Sequence, residues 1–405
     1  MIKDFEKKVR AYALKNAVAY EGNAMMGPVV SSLFHEGLKK SDMGKYGKQI
    51  LEIISEVNKL SPEEQKKEFE KLGKNVSERH EREGLDELPN VPKSGIITRF
   101  RPSPSGFLHV GHIISNMPAS LYVKKYGGKF YVIIDDTDPK TAVIEAYKEI
   151  QKDCDWIFGN VHAYIIASER MEIYYDYAEK LLKKNAVYVC TCPPEKFKQF
   201  IEKEKPCPCR KNTAKKNKEL WEKMLDKSDR GFKEGGAVLR FKSEGGMKNK
   251  NPAMRDFPLA RVCTHKHPLQ NDKYKIWPLM NLAVAVDDMD LGMTHIIRGK
   301  DHRDNAERQR MIYKVLNRKF PWTFFIGRIK FSDVVLSKRK LKAAIEVGEF
   351  SGYDDAKIPT IISLRKRGYN QSAFRKFVEQ RGLTEVDKVI SQKDFFRIID
   401  NFNKE

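Results

Sequence analysis

Long apolar runs are missing from this chain. None approaches the roughly 18 residues that a membrane-spanning helix needs, and Met1 to Tyr12 is charged where a secretory leader would be apolar. The expected setting is therefore the cytoplasm, with no membrane partner. Acidic residues are also in short supply: 55 Asp and Glu face 76 Lys and Arg, for a net charge of +21. That imbalance points to a polyanionic partner, the alternative being a lysine-rich solvated surface. Cysteine is scarce at six residues, and four of these fall within twenty positions. In a reducing compartment such a cluster suggests a metal site more than disulfides. What the chain does have is 405 residues, 40% of them hydrophobic, enough for two to four domains with their own cores.

The most informative stretch is Ile96 to His112. Ile96–Phe100 is a short β-prone run, Pro102, Pro104 and Gly106 break it, and a helix-compatible segment begins near Gly111. Strand, sharp loop and helix together present backbone N–H groups and a helix dipole to a phosphate. His109 and His112, three residues apart, can point the same way at the mouth of that helix and neutralise charge developing on phosphorus. Gly111 between them leaves room for a flat ring against the backbone. Alone, a His-x-x-His pair at a helix start reads more readily as structural or metal-binding than as catalytic.

The run from Arg99 to His112, Arg-Phe-Arg-Pro-Ser-Pro-Ser-Gly-Phe-Leu-His-Val-Gly-His, resembles the first signature of class I aminoacyl-tRNA synthetases in the form used by the glutamyl and glutaminyl enzymes. The resemblance implies an α/β fold: a Rossmann-type catalytic domain with an inserted acceptor-stem-binding domain, a helical amino-terminal extension and a helical stem-contact domain. The expected boundaries are 1–93 for the extension, 94–187 and 276–328 for the two catalytic halves, 188–275 for the insertion, and 329–405 for the second-signature loop and stem-contact helices. The extension is helical by pattern, with Ile50, Ile53, Ile54 and Val57 recurring at three and four and Ser61-Pro62-Glu63-Glu64 opening a helix. Ala13 to Val18, with the helical segments after it, is similar to the extension of archaeal-type glutamyl enzymes.

Three further segments extend the likeness. Phe130 to Ile134 is a five-residue apolar run that ends in Asp135, Asp136 and Asp138, reading as a parallel strand that carries acids to the ligand-binding edge of a sheet. By resemblance, Asp135 holds the ammonium group of the amino acid, and Arg99, Ser103 and Arg298 complete a glutamate pocket. Arg298 ends the short strand Thr294–Gly299, where a guanidinium can pair bidentately with a carboxylate and offers nothing comparable to an amide. The glutamyl enzymes carry Arg here and the glutaminyl enzymes a small neutral residue. Ile276 to Asp288 reads as a buried helix; Met280 departs from the Tyr of bacterial-type enzymes. Phe331 to Lys340 resembles the second signature, with Leu336, Ser337 and Lys338 matching its centre and Val335 replacing its first Lys. ATP is then expected on His109, Gly111, His112, Leu336, Ser337 and Lys338, with Mg²⁺, and His109, His112 and Lys338 are the catalytic candidates.

Between the halves, Cys190-Thr-Cys192 and Cys207-Pro-Cys209 form two close pairs that can close a tetrahedral zinc shell, the alternative being four buried free thiols. Lys211 to Lys227 is basic with Leu220, Trp221 and Leu225 interspersed, one face fit to pack and the other to meet phosphates. The function implied is ATP-dependent ligation of L-glutamate to tRNA(Glu), with tRNA(Gln) as a second acceptor, through a glutamyl-adenylate. Family members of this type continue into an anticodon-binding β-barrel region, so a split or truncated enzyme completed by a separate barrel chain is expected. The alternatives are a glutamine–tRNA ligase, which Arg298 argues against, and a non-catalytic tRNA-binding paralogue.

Overall fold

The computed structural model describes residues 4–20, 22–76, 84–334 and 338–404. It divides into two compact units, 1–81 and 82–405. The first is all helical: α1 (Phe5–Ala19), α2 (Met26–His35), α3 (Met43–Asn58) and α4 (Pro62–Leu72). Val9, Leu14 and Ala17 of α1 pack with the Ile50, Ile54, Val57 stripe of α3. The predicted start of α4 is a full capping box: Ser61 Oγ accepts from Glu64 N–H at 3.3 Å while the Glu64 carboxylate accepts from Ser61 N–H at 2.8 Å.

The second unit opens with β1 (Ile96–Phe100), α5 (Val110–Tyr126), β2 (Gly128–Ile134), α6 (Ile144–Phe158) and β3 (Ala163–Ile166), whose strands form a parallel sheet in the order β1-β2-β3. Gly128, at φ +109°, is needed for the close approach of β2 to β1, because a Cβ there would lie 2.0 Å from the Ile96 carbonyl oxygen. After α7 (Met171–Lys183) the chain enters an antiparallel sheet of β4 (Val187–Cys190), β5 (Val238–Phe241), β6 (Pro258–Val262) and β7 (Ile276–Pro278), with α8 (Pro194–Glu202) and α9 (Ala214–Leu225) between β4 and β5. Here one expectation is corrected. Ile276 to Asp288 is not a single helix: Ile276–Pro278 pairs with β6 as an edge strand, where Ile and Trp suit a pleated surface and Pro278 closes the strand, and only then does α10 (Met280–Asp290) begin. The antiparallel sheet thus ends at Pro278.

The chain returns through β8 (His295–Gly299), α11 (Arg303–Val315) and β9 (Trp322–Ile326), a parallel pair. Thr294 N–H donates to Ile97 O at 2.9 Å and Ile97 N–H to Thr294 Oγ1 at 2.9 Å, which sets this pair beside β1 on the side away from β2. The remaining elements are β10 (Ile329–Phe331), α12 (Lys338–Glu346), α13 (Ile361–Lys366), α14 (Gln371–Arg381), β11 (Lys388–Ile390) and α15 (Gln392–Lys404). Phe374, Phe377, Val378 and Phe395 of these helices share one core with Ile113, Met117 and Tyr122 of α5 and with Ile150 and Phe158 of α6. Among the described residues no helix is long and apolar enough to cross a membrane.

Candidate active site

Between β1 and β8 the strand order reverses direction, and such a switch point is where open α/β sheets leave a crevice at their carboxyl ends. A cavity of about 720 Å³ lies there, walled by Arg99, Arg101, Ser103 and the start of α5 on one side and by Ile297, Arg298, Gly299 and His302 on the other. It gathers seven of the expected site residues, Arg99, Ser103, His109, Gly111, His112, Asp135 and Arg298, across 199 residues of chain from Arg99 to Arg298. Leu336 and Ser337 lie outside the described residues. Lys338 is the first residue of α12, and Val334, four positions earlier, lines the cavity.

The two histidines are tied to each other through the helix start. His109 is the N-cap of α5, its Nδ1 accepting from Gly111 N–H at 3.2 Å, while His112 Nδ1 accepts from His109 N–H at 3.1 Å. A neutral imidazole whose Nδ1 accepts carries its proton on Nε2, so both rings present Nε2–H as donor, with centroids 4.0 Å apart. The backbone of this loop is clipped from the far end of the chain: Val110 N–H donates to Pro359 O at 2.9 Å and Ile361 N–H to Leu108 O at 3.1 Å.

Of the four arginines that line the cavity Arg328 is exposed; the side chains of the other three are buried and differ in what already neutralises them. Arg99 is closed bidentately by Asp288, at 2.5 and 2.9 Å. Arg101 reaches Asp135 at 2.9 Å and also bonds Asp287, and Asp287 is held in turn by Arg170 at 2.7 Å and the Tyr174 hydroxyl at 2.8 Å. Burial alone would raise the Asp135 carboxyl, but the charge and hydrogen bond of Arg101 more than offset it and hold it below the usual range. Arg298 is different. Its Nη1 donates to the neutral amide oxygen of Gln309 at 2.8 Å, its Nε has no partner, and among the described residues no carboxylate pairs with it. Burial, together with the charge of nearby Arg99, pulls its pKa down to about 9. Its own burial and the charge of Arg298 likewise push the His302 imidazole below its usual value.

The acids after β2 take separate tasks. Asp135 faces the cavity already matched by Arg101. Asp136 is buried, accepting from Ser168 N–H and Oγ–H at 2.7 Å each and from the Tyr147 hydroxyl at 2.9 Å. Asp138 pairs with Arg261 of β6 at 2.8 Å. Sequence reading passed over Arg101, although it lies two residues beyond Arg99 along extended chain, and gave no role to Asp287 and Asp288, whose adjacency after an apolar helix was the available signal. Gln309 carried no signal.

The four clustered cysteines bring all their Sγ atoms within 4.8 Å of one another, with Cys190 to Cys207 at 3.9 Å and Cys192 to Cys209 at 3.7 Å. Thiolates at about 2.3 Å from a tetrahedral zinc ion stand about 3.8 Å apart, so this donor set fits that ion. A hydrogen bond from Cys190 already favours the thiolate form of Cys207.

A family model described as the catalytic domain of class I tRNA synthetases (E and Q) matches residues 95–402, so the fold is that of a class I aminoacyl-tRNA synthetase. The chain is 41% identical over 394 residues to the glutamate–tRNA ligase of Methanocaldococcus jannaschii, covering 97% of this chain and 70% of that one. It is 38% identical over 402 residues to the glutamate–tRNA ligase of Thermococcus kodakarensis, covering 96% and 69%. A crystal structure of a glutamate tRNA ligase from Elizabethkingia meningosepticum in complex with its amino acid shares the fold, with a TM-score of 0.54 and 20% identity over 76% of this chain and 68% of that one. The chain belongs to the glutamate–tRNA ligase family.

Proposed function

We propose that the cavity joins L-glutamate to ATP and passes the glutamyl group to tRNA(Glu), with the side-chain carboxylate of glutamate seated on Arg298. The observation that carries this reading is the charge state of the three guanidiniums. Arg99 and Arg101 are already paired with aspartates, whereas Arg298 is a buried cation bound only to an amide, a costly arrangement unless an anion arrives. An oxygen of the glutamate α-carboxylate attacks the α-phosphorus of ATP, and pyrophosphate leaves. The Nε2–H groups of His109 and His112 donate to phosphate oxygens whose charge grows in the transition state. Lys338, at the start of α12, neutralises the leaving pyrophosphate, and Mg²⁺ arrives with the nucleotide as part of the substrate. The terminal ribose hydroxyl of tRNA then attacks the mixed anhydride and AMP departs.

The insertion is the acceptor-stem grip in this reading, its net positive chain meeting phosphate, and a zinc ion on Cys190, Cys192, Cys207 and Cys209 would stitch β4 to the 207–209 turn. Charging of tRNA(Gln) and a cytoplasmic setting belong to the same proposal. Arg298→Ala is expected to raise the glutamate KM at least about 100-fold in charging of total tRNA, since truncating one partner of a buried charge pair costs several kcal/mol. An unchanged KM, or a wild-type preference for glutamine, would overturn the reading.

A further inference from the structure

Every other buried arginine at the amino-acid end of the cavity has an acid as its anchor, so the neutral anchor of Arg298 calls for an explanation. Gln309, on α11, is 1% exposed, and its Oε1 accepts from Arg298 Nη1 at 2.8 Å. Its own Nε2 donates to the Oδ1 of Asn281, at 3.3 Å, and Asn281 is buried on α10. The guanidinium can only donate, so it takes the amide oxygen of Gln309, and the amide N–H is then turned to Asn281, which holds it there. Asp301 lies on the cavity wall and Asp288 is occupied by Arg99, and neither pairs with Arg298.

We propose that Gln309, oriented by Asn281, is the positioning residue that sets the charge specificity of the amino-acid pocket: it aims Arg298 through a neutral acceptor, so the guanidinium meets the substrate with its charge uncompensated. This rests on the reading of Arg298 as the seat of the side-chain carboxylate. A glutamate side chain supplies the missing anion, whereas glutamine would leave a buried cation unmatched, the kind of mismatch that polar pockets reject strongly. An acid at position 309 would supply that anion from within the protein and remove the basis for the choice.

The test uses the full chain, with glutamate and glutamine affinities read by calorimetry and glutamate KM and kcat read in tRNA charging. Gln309→Glu should weaken glutamate binding and raise its KM about 100-fold, with kcat and the ATP KM within about threefold of wild type, and should erase the preference for glutamate over glutamine. Gln309→Met, neutral and of similar length, should raise the glutamate KM about tenfold while retaining the preference. Unchanged glutamate affinity in Gln309→Glu, or equal losses in the two variants, overturns the proposal. Should Gln309→Glu not fold, Asn281→Ala carries the test: freeing the amide to turn should weaken glutamate about fivefold at constant kcat, and no change overturns it. Arg298→Ala separates the two readings, because loss of glutamate binding there beside an indifferent Gln309→Glu sinks only the role of Gln309.

Discussion

Asp153, on α6, is fully buried, and its carboxylate makes no hydrogen bond; Arg365 Nη2 stands 3.0 Å away without the alignment of one. Burial, opposed by Arg365 and reinforced by Glu149, pushes its pKa up to about 7. In the unfolded chain the same group titrates near 4, so the fold favours the protonated form, and the stability it contributes is present in acid and lost as pH rises through 7. Relative to Asp153→Asn, the wild-type protein should lose about 1.4 kcal/mol between pH 6 and pH 8, read from denaturant unfolding at the two values; parallel pH profiles would disprove it. Nothing in the sequence marks Asp153, one acid among Lys148, Glu149, Lys152 and Asp155. The place of Arg298 in the cavity was legible by contrast, because it ends a strand that the pattern puts at the carboxyl edge of the sheet. Which of the cavity arginines has no acid as partner was not legible, since it depends on Asp288 reaching Arg99 across 189 residues.

At the scale of elements, the strand-loop-helix of β1 and α5 could be read directly, because breaker residues, a β-prone run and a helix start are local signals. The β-strand at Ile276–Pro278 could not: an apolar run of that kind suits helix and strand alike until β6 is there to pair with it. The clip on the His109 loop was equally hidden, because it joins Leu108 and Val110 to residues some 250 positions on. Thr360 anchors the clip. It is buried, it bridges His109, its Oγ1 accepts from Ser363 N–H at 3.2 Å as the N-cap of α13, and its hydroxyl donates to Tyr353 O. Thr360→Val keeps the shape and removes both bonds, at a cost of about 1–2 kcal/mol in denaturant unfolding. Its kinetic effect should fall on kcat, with the glutamate KM unchanged, since the clip positions the histidines and not Arg298. A rise in KM at constant kcat would argue against that division.

On the scale of the whole molecule, the stretch from Glu234 to His267 is joined to the loop after β2 by Asp138–Arg261, by Lys140–Glu234 and by His267 Nε2–H donating to Asp136 O at 3.0 Å. If the cysteine cluster holds zinc, the purified protein should carry one ion per chain by elemental analysis. Stripping it with a strong chelator should lower Tm and weaken tRNA binding, while glutamate binding, remote from the cluster, persists. A metal-free protein of undiminished Tm would refute the assignment.

The walls of the cavity have a consequence for biosynthesis. Arg99 and Arg298 flank an entire antiparallel sheet in the chain, so a nascent chain still on the ribosome completes the histidine loop long before it owns both walls of the cavity. On the proposed reading of Arg298, translation products that stop short of β8 are expected to be inert as ligases, which charging assays on chains ending at Asp290 would check.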